Sequence, residues 1–150
     1  MKKKEILSEI KRILENFGRE DVLAAGLFGS LARGDYDERS DIDIFIITEK
    51  ELEIKEQDEF YYVFSELRRK FGRDITVLIY DIKSLKRVPS WQTLNMIKDS
   101  IFAYDAANIR EIFKKILDEA EKHGVFYDEK EKTFKLRKQG RIFFSLEDSL

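Results

Sequence analysis

The sequence predicts an α/β (α+β) fold, a small mixed β-sheet flanked by helices. Two observations carry that reading. Amphipathic runs at helical spacing alternate with short apolar runs of strand length, in the order helix, strand, strand, helix, strand, then mixed elements. Glycines stand at the joints between them, at Gly18, Gly29, Gly34 and Gly72. With 150 residues, 43% of them hydrophobic and 39% charged, the chain can bury a core and has little length for a second module.

The first helix is marked by Ile6, Leu7, Ile10, Ile13, Leu14 and Phe17, which fall on one face, with Gly18 as its stop. Val22 to Phe28 is a continuous apolar run ended by Gly29, as expected of a buried strand. A short helix over Leu31 to Arg33 is closed by Gly34, and residues 35–40 are polar enough to form a loop. Asp41 to Ile47 alternates, with Ile42, Ile44 and Ile46 on one face and Asp41, Asp43, Phe45 and Ile47 on the other. Phe60, Val63, Phe64, Leu67 and Phe71 predict one long helix ending at Gly72, and Asp74 to Tyr80 a third strand.

Further along, Ser90 after Pro89 is placed to cap a helix reaching Lys98. Ile101 to Tyr104 reads as a fourth short strand. Ile109, Ile112, Phe113, Ile116, Leu117 and Ala120 define a last amphipathic helix ending at His123-Gly124. Val125 to Tyr127 and Thr133 to Leu136 flank a charged turn and suggest a hairpin.

Composition removes several function classes. There is no cysteine, which excludes a disulfide scaffold and a Cys-based zinc site. No stretch approaches the roughly 20 apolar residues of a membrane span, and Met1 to Ile6 lacks a signal-peptide core, so a cytoplasmic location is expected. The net charge of −2 disfavours nucleic acid as a partner, although a local basic patch can hide in an average. Abundant Lys and Glu with sparse Asn, Gln and Met resemble a thermophile's composition.

Chemistry concentrates between Gly29 and Asp43. Glycine lets the backbone approach a ligand or take positive φ, and a helix beginning at Ser30 offers free N–H groups and a hydroxyl to an anion. An ordinary strand-to-helix turn has the same residues. Asp41 and Asp43 share a strand face, with Cα atoms roughly 6.6 Å apart. At about 5 Å and an effective dielectric near 20, their repulsion is on the order of 3 kcal/mol. A buried pair therefore needs a cation or a raised pKa, and Mg²⁺ suits carboxylates completed by water and phosphate. A solvated edge strand is the bland alternative, disfavoured by the surrounding isoleucines. Asp74, at the start of the next strand, would reach the same ions if the two strands are neighbours. Three carboxylates without a histidine fit a two-metal phosphoryl or nucleotidyl transfer site rather than zinc.

The pattern Gly29-Ser30-Leu-Ala-Arg33-Gly34 with Ser40-Asp41-Ile-Asp43 resembles the DNA polymerase β-like nucleotidyltransferase superfamily, and within it the minimal nucleotidyltransferases often encoded beside HEPN-domain partners. The motif covers about 15 residues, and with Asp74 the resemblance spans roughly residues 5–80. It implies one nucleotidyltransferase domain over 1–150, with a catalytic core at about 5–80 and a helical and hairpin extension at about 81–150. By resemblance, Gly29 and Ser30 would bind the β- and γ-phosphates of an NTP. Asp41 and Asp43 would bind two Mg²⁺ (or Mn²⁺) ions, and Asp74 the catalytic ion while helping to activate the attacking hydroxyl. Arg33 would either neutralise phosphate or pair with Asp35 or Asp37.

The implied reaction moves an NMP, AMP from ATP foremost, to an acceptor hydroxyl. A tyrosine of a HEPN-domain toxin is the implied acceptor, which makes the protein an antitoxin. The alternatives are an antitoxin that acts by contact alone, and transfer to RNA or a small molecule such as an aminoglycoside. A homo-oligomer stays open as a way to complete the acceptor site. His123, Trp91 and the Arg68-Arg69-Lys70 cluster read as structural or solvated. The basic run Lys135 to Arg141 reads first as solvated surface and is otherwise the best candidate for an acidic or nucleic-acid contact. The apolar Arg141-Ile-Phe-Phe-Ser-Leu segment is expected to pack on its own domain or on a partner.

Overall fold

The computed structural model describes residues 3–87 and 90–137. Pro89 and the 138–150 segment, with most of the basic run and all of the apolar tail read above, lie outside the described residues. The chain runs α1 (Lys3–Phe17), β1 (Val22–Phe28), α2 (Gly29–Arg33), β2 (Ile42–Thr48), α3 (Ile54–Phe64), α4 (Glu66–Phe71), β3 (Ile75–Asp81), α5 (Ile82–Leu85), α6 (Trp91–Asp99), β4 (Ile101–Asp105), α7 (Ile109–Lys122), β5 (Val125–Asp128) and β6 (Thr133–Leu136).

Four strands form one sheet in the order β3-β2-β1-β4. β1 pairs antiparallel with both β2 and β4, and β2 pairs parallel with β3. The alternation in β2 sorts its side chains to two cores. Ile42, Ile44 and Ile46 are buried with Ile6, Ile10, Ile13, Phe60, Phe64 and Leu67 of α1, α3 and α4. Phe45 and Ile47 are buried on the other face with Leu94, Ile97, Phe113 and Ile116 of α6 and α7. Because both faces are covered, β1 can be apolar throughout and β2 apolar but for Asp43 and Thr48. The β5–β6 hairpin packs on the second core through Val125 and Phe134.

The helix expected over Phe60 to Phe71 is two helices. Ser65 interrupts it: its hydroxyl donates to the Tyr62 carbonyl at 2.6 Å and its amide to the same oxygen at 3.1 Å. That local bonding competes with the helical ladder. The first of the two starts earlier than the apolar pattern does, because Glu53 and Glu56 form a reciprocal capping box. α5 is too short to leave a periodic signal. β2 and β3 each begin one residue later than predicted, so Asp41 and Asp74 lie just before their strands.

Candidate active site

Gly29 is the point from which the site is built. The β1–β2 register sets Phe28 opposite Asp43, so the next residue of the chain lies against that aspartate. Gly29 takes φ +75°, and a Cβ there would lie 2.1 Å from Asp43 Oδ2. Both the backbone conformation and the contact exclude a side chain. α2 starts at this glycine with no side chain capping its first amides, and Ser30 is its second residue. The far end of α2 is closed by Gly34 at φ +92°, whose amide donates to the Ser30 carbonyl at 2.8 Å. Lys3 of α1 donates to the Ala32 carbonyl at 2.8 Å.

Asp41 and Asp43 are half-buried at the mouth of β2. Burial pushes Asp43 up to about 6, and the Asp41 charge pushes in the same direction. Thr76, the β3 partner of Asp43 in the parallel register, stands beside both acids. Its hydroxyl lies 3.3 Å from Asp41 Oδ2 and also favours the ionised form of Asp43. The hydroxyl has one proton and serves one carboxylate at a time.

Asp74 is not brought to this pair. Its side chain is 72% exposed and forms an ion pair with Arg68 at 3.2 Å. It lines a separate cleft of about 570 Å³ with Arg68, Arg69 and Arg73. The reason is the late start of β3: Asp74 contributes its carbonyl to the Ile42 amide at 2.8 Å and leaves the strand position beside Asp43 to Thr76. Among the described residues no three His, Cys, Asp or Glu side chains converge as a metal site.

Arg33 is held by acids rather than free for an anion. It contacts Asp35 at 3.2 Å and Asp99 at 2.6 Å. The pairing alternative read from sequence thus holds for Asp35, with Asp99 as a second partner. The Asp99 side chain is 8% exposed, and burial raises its pKa while Arg33 opposes the rise. The same arginine and Asp99 also act on Asp43, with opposite signs.

Two basic residues hold the 35–40 loop from outside. Lys132, at the tip of the hairpin, reaches Asp35 at 2.7 Å. Arg73 donates to the carbonyls of Asp37 at 2.7 Å and Ser40 at 2.8 Å and stacks on Tyr36. A cleft of about 430 Å³ between α2, the α6–β4 junction and the hairpin is lined by Arg33, Asp99, Tyr127 and Lys132. Sequence reasoning missed Thr76, Asp99, Arg73 and Lys132. Only Thr76 left a signal, its place two residues into the β3 run.

The donor set fits a hard divalent ion. Two carboxylates share one face, and one of them is desolvated, repelled by the other and seated where only a glycine allows it. Mg²⁺ or Mn²⁺ on Asp41 and Asp43 would relieve that repulsion, with water and phosphate oxygens completing the shell.

Comparison with known proteins adds the following. The family model described as polymerase beta, nucleotidyltransferase matches residues 8–105. A Methanocaldococcus jannaschii protein, provisionally named a protein adenylyltransferase, is 34% identical over 76 residues, covering 51% of this chain and 77% of the relative. A solved toxin–antitoxin structure with AMP-PNP aligns with TM-score 0.57 and 19% identity over 78% of this chain and 87% of that one. A tri-AMPylated Shewanella oneidensis HEPN toxin in complex with an MNT antitoxin aligns with TM-score 0.54 and 16% identity, over 81% and 88%. At these identities the solved structures establish a shared fold.

Proposed function

The chain belongs to the polymerase beta nucleotidyltransferase family, and from that premise we propose that it transfers an NMP, AMP from ATP foremost, to a protein hydroxyl with the help of a divalent metal. The observation that supports this reading is the close approach of Gly29 to the Asp43 carboxylate, where a Cβ would clash, so that the glycine turn lies beside the acid pair. The first amides of α2 and the Ser30 hydroxyl hold the β- and γ-phosphates. Asp41 and Asp43 would hold the divalent metal, which would supply neutralisation of phosphate charge. The acceptor oxygen–phosphorus bond forms as the bond to pyrophosphate breaks. Arg33, bound by Asp35 and Asp99, fixes the end of α2 and leaves phosphate binding to the turn.

A protein acceptor is favoured by the name of the archaeal relative, and a HEPN-domain toxin by the AMPylated toxin in the structural neighbour. On this reading the protein is the antitoxin of such a pair, and its C-terminal hairpin is the wall the acceptor meets. Incubation with Mg²⁺, each NTP and a co-purified partner, followed by intact-mass analysis, should show NMP-sized gains on the partner. Equal gains with Asp43→Asn would overturn the site.

A second reading has one observation in its favour. Asp74 stands apart from Asp41 and Asp43, and an acid pair without a third carboxylate also suits a partner-binding protein that acts by contact alone. Protection by Asp43→Asn without nucleotide would select it.

A further inference from the structure

β3 is the strand expected to supply a third carboxylate to the acid pair, and it supplies a hydroxyl instead. The parallel register sets Asp43 opposite Thr76, not Asp74. Side chains opposite each other in register rise from the same face of the sheet. Thr76 therefore shares the face of Asp41 and Asp43, and its hydroxyl contacts Asp41 Oδ2 at 3.3 Å. Asp74 precedes the strand, is 72% exposed and answers to Arg68 on a different cleft.

We infer that Thr76 is the contribution of β3 to the metal site, where its hydroxyl positions the Asp41 carboxylate. The inference rests on the reading that Asp41 and Asp43 hold the metal. Divalent affinity follows the number and charge of oxygen ligands. Groups that orient a ligand from behind also matter, and losing one costs about 10- to 100-fold in metal affinity or activity. Thr76 is a positioning residue on this assignment; the ion is held by the acids.

The test is Mn²⁺ binding to the free protein, read by the loss of the free-ion EPR signal, so that it does not depend on turnover. Thr76→Asp should tighten Mn²⁺ binding by about 10-fold or more, because it restores a third carboxylate on the shared face. Thr76→Val should weaken binding by roughly 10-fold, and Thr76→Ser, which keeps the hydroxyl, should match the parent. Asp74→Asn, at an exposed position that tolerates substitution, should leave affinity unchanged.

The assignment is overturned if Asp74→Asn loses as much affinity as Asp43→Asn, or if folded Thr76→Asp and Thr76→Val both bind Mn²⁺ as the parent does. Asp43→Asn separates this from the reading beneath it. If that variant binds Mn²⁺ normally, the acid pair is not the metal site, and Thr76 falls with it. If it loses binding while the Thr76 variants behave as the parent, only the Thr76 assignment fails.

Discussion

Replacing Asp43 by Asn should make the metal-free protein more stable while removing its activity. In the folded state Asp43 is raised from 3.8 to about 6 by burial and by the neighbouring Asp41 charge. A shift of that size is worth about 3 kcal/mol for a fully buried group, and roughly half that here because the side chain is only half-buried and partly screened. Asn has no charge to desolvate or repel, but it weakens the interaction with Thr76, which offsets about 0.5 kcal/mol. The net gain at pH 7.5 is therefore about 1 kcal/mol, or an increase in Tm of about 2–4 °C for a chain of this size.

The sign is set by the raised folded pKa. Between about 4 and 6 the folded state binds more protons at Asp43 than the unfolded state does, so wild-type stability from this group falls as pH rises through that window. Below the unfolded value of 3.8 the group becomes protonated in both states, and the advantage of Asn should shrink towards zero. Thermal melts of both proteins in EDTA at pH 3.8, 5, 6 and 7.5 check this. A variant that is less stable than wild type at pH 7.5, or a difference that does not change with pH, refutes the picture of a repelled, desolvated acid. Saturating Mg²⁺ should stabilise the wild type alone and close the gap.

Other positions give further tests. A Cβ on Gly26 would lie 2.0 Å from the Ile101 carbonyl and 2.8 Å from the Phe45 ring, so Gly26→Ala must spread the β1–β4 pairing and should cost about 1–3 kcal/mol in denaturant unfolding. Gly29→Ala combines positive φ with displacement of the Asp43 carboxylate. About 1–2 kcal/mol of lost stability and a loss of transfer activity well beyond that loss of folded protein are expected from the two effects. Asp105 accepts from the Ile109 amide at 2.8 Å and the Arg110 amide at 3.2 Å at the start of α7. Asp105→Ala should cost about 1 kcal/mol by calorimetry, with no effect on Mn²⁺ binding.

The sheet was legible because its strands are short apolar runs, and in β2 the alternation assigned Ile42, Ile44 and Ile46 to one core and Phe45 and Ile47 to the other, as found. The helices were legible wherever one face meets a core, as in α1 and α7. What failed was local. The break at Ser65 depends on a single hydroxyl that periodicity does not register. The third acid failed for a local reason: Asp74 lies one residue before β3, where its side chain turns to Arg68 and solvent, and the in-strand position opposite Asp43 is held by Thr76. Arg73, Asp99 and Lys132 act across 33 to 97 residues of sequence through contacts that no short-range pattern encodes.

The spacing between the glycine turn and the acids is a consequence of the sheet. In the observed antiparallel register of β1 with β2, Phe28 and Asp43 are partners, and the residue after Phe28 lies beside the Asp43 carboxylate. That connection is then held at several points: by Arg33 and Lys132 at Asp35, and by Arg73 at Asp37 and Ser40. Lys132 belongs to the C-terminal hairpin, which rests on the opposite core from α1 and α3. The loop that delivers Asp41 is thus gripped by the strand β3 entry on one side and by the hairpin on the other. A partner that binds the hairpin would touch an element tied to the loop before the acid pair by the Lys132–Asp35 ion pair of 2.7 Å, and to β2 through the core it shares with Phe45 and Ile47.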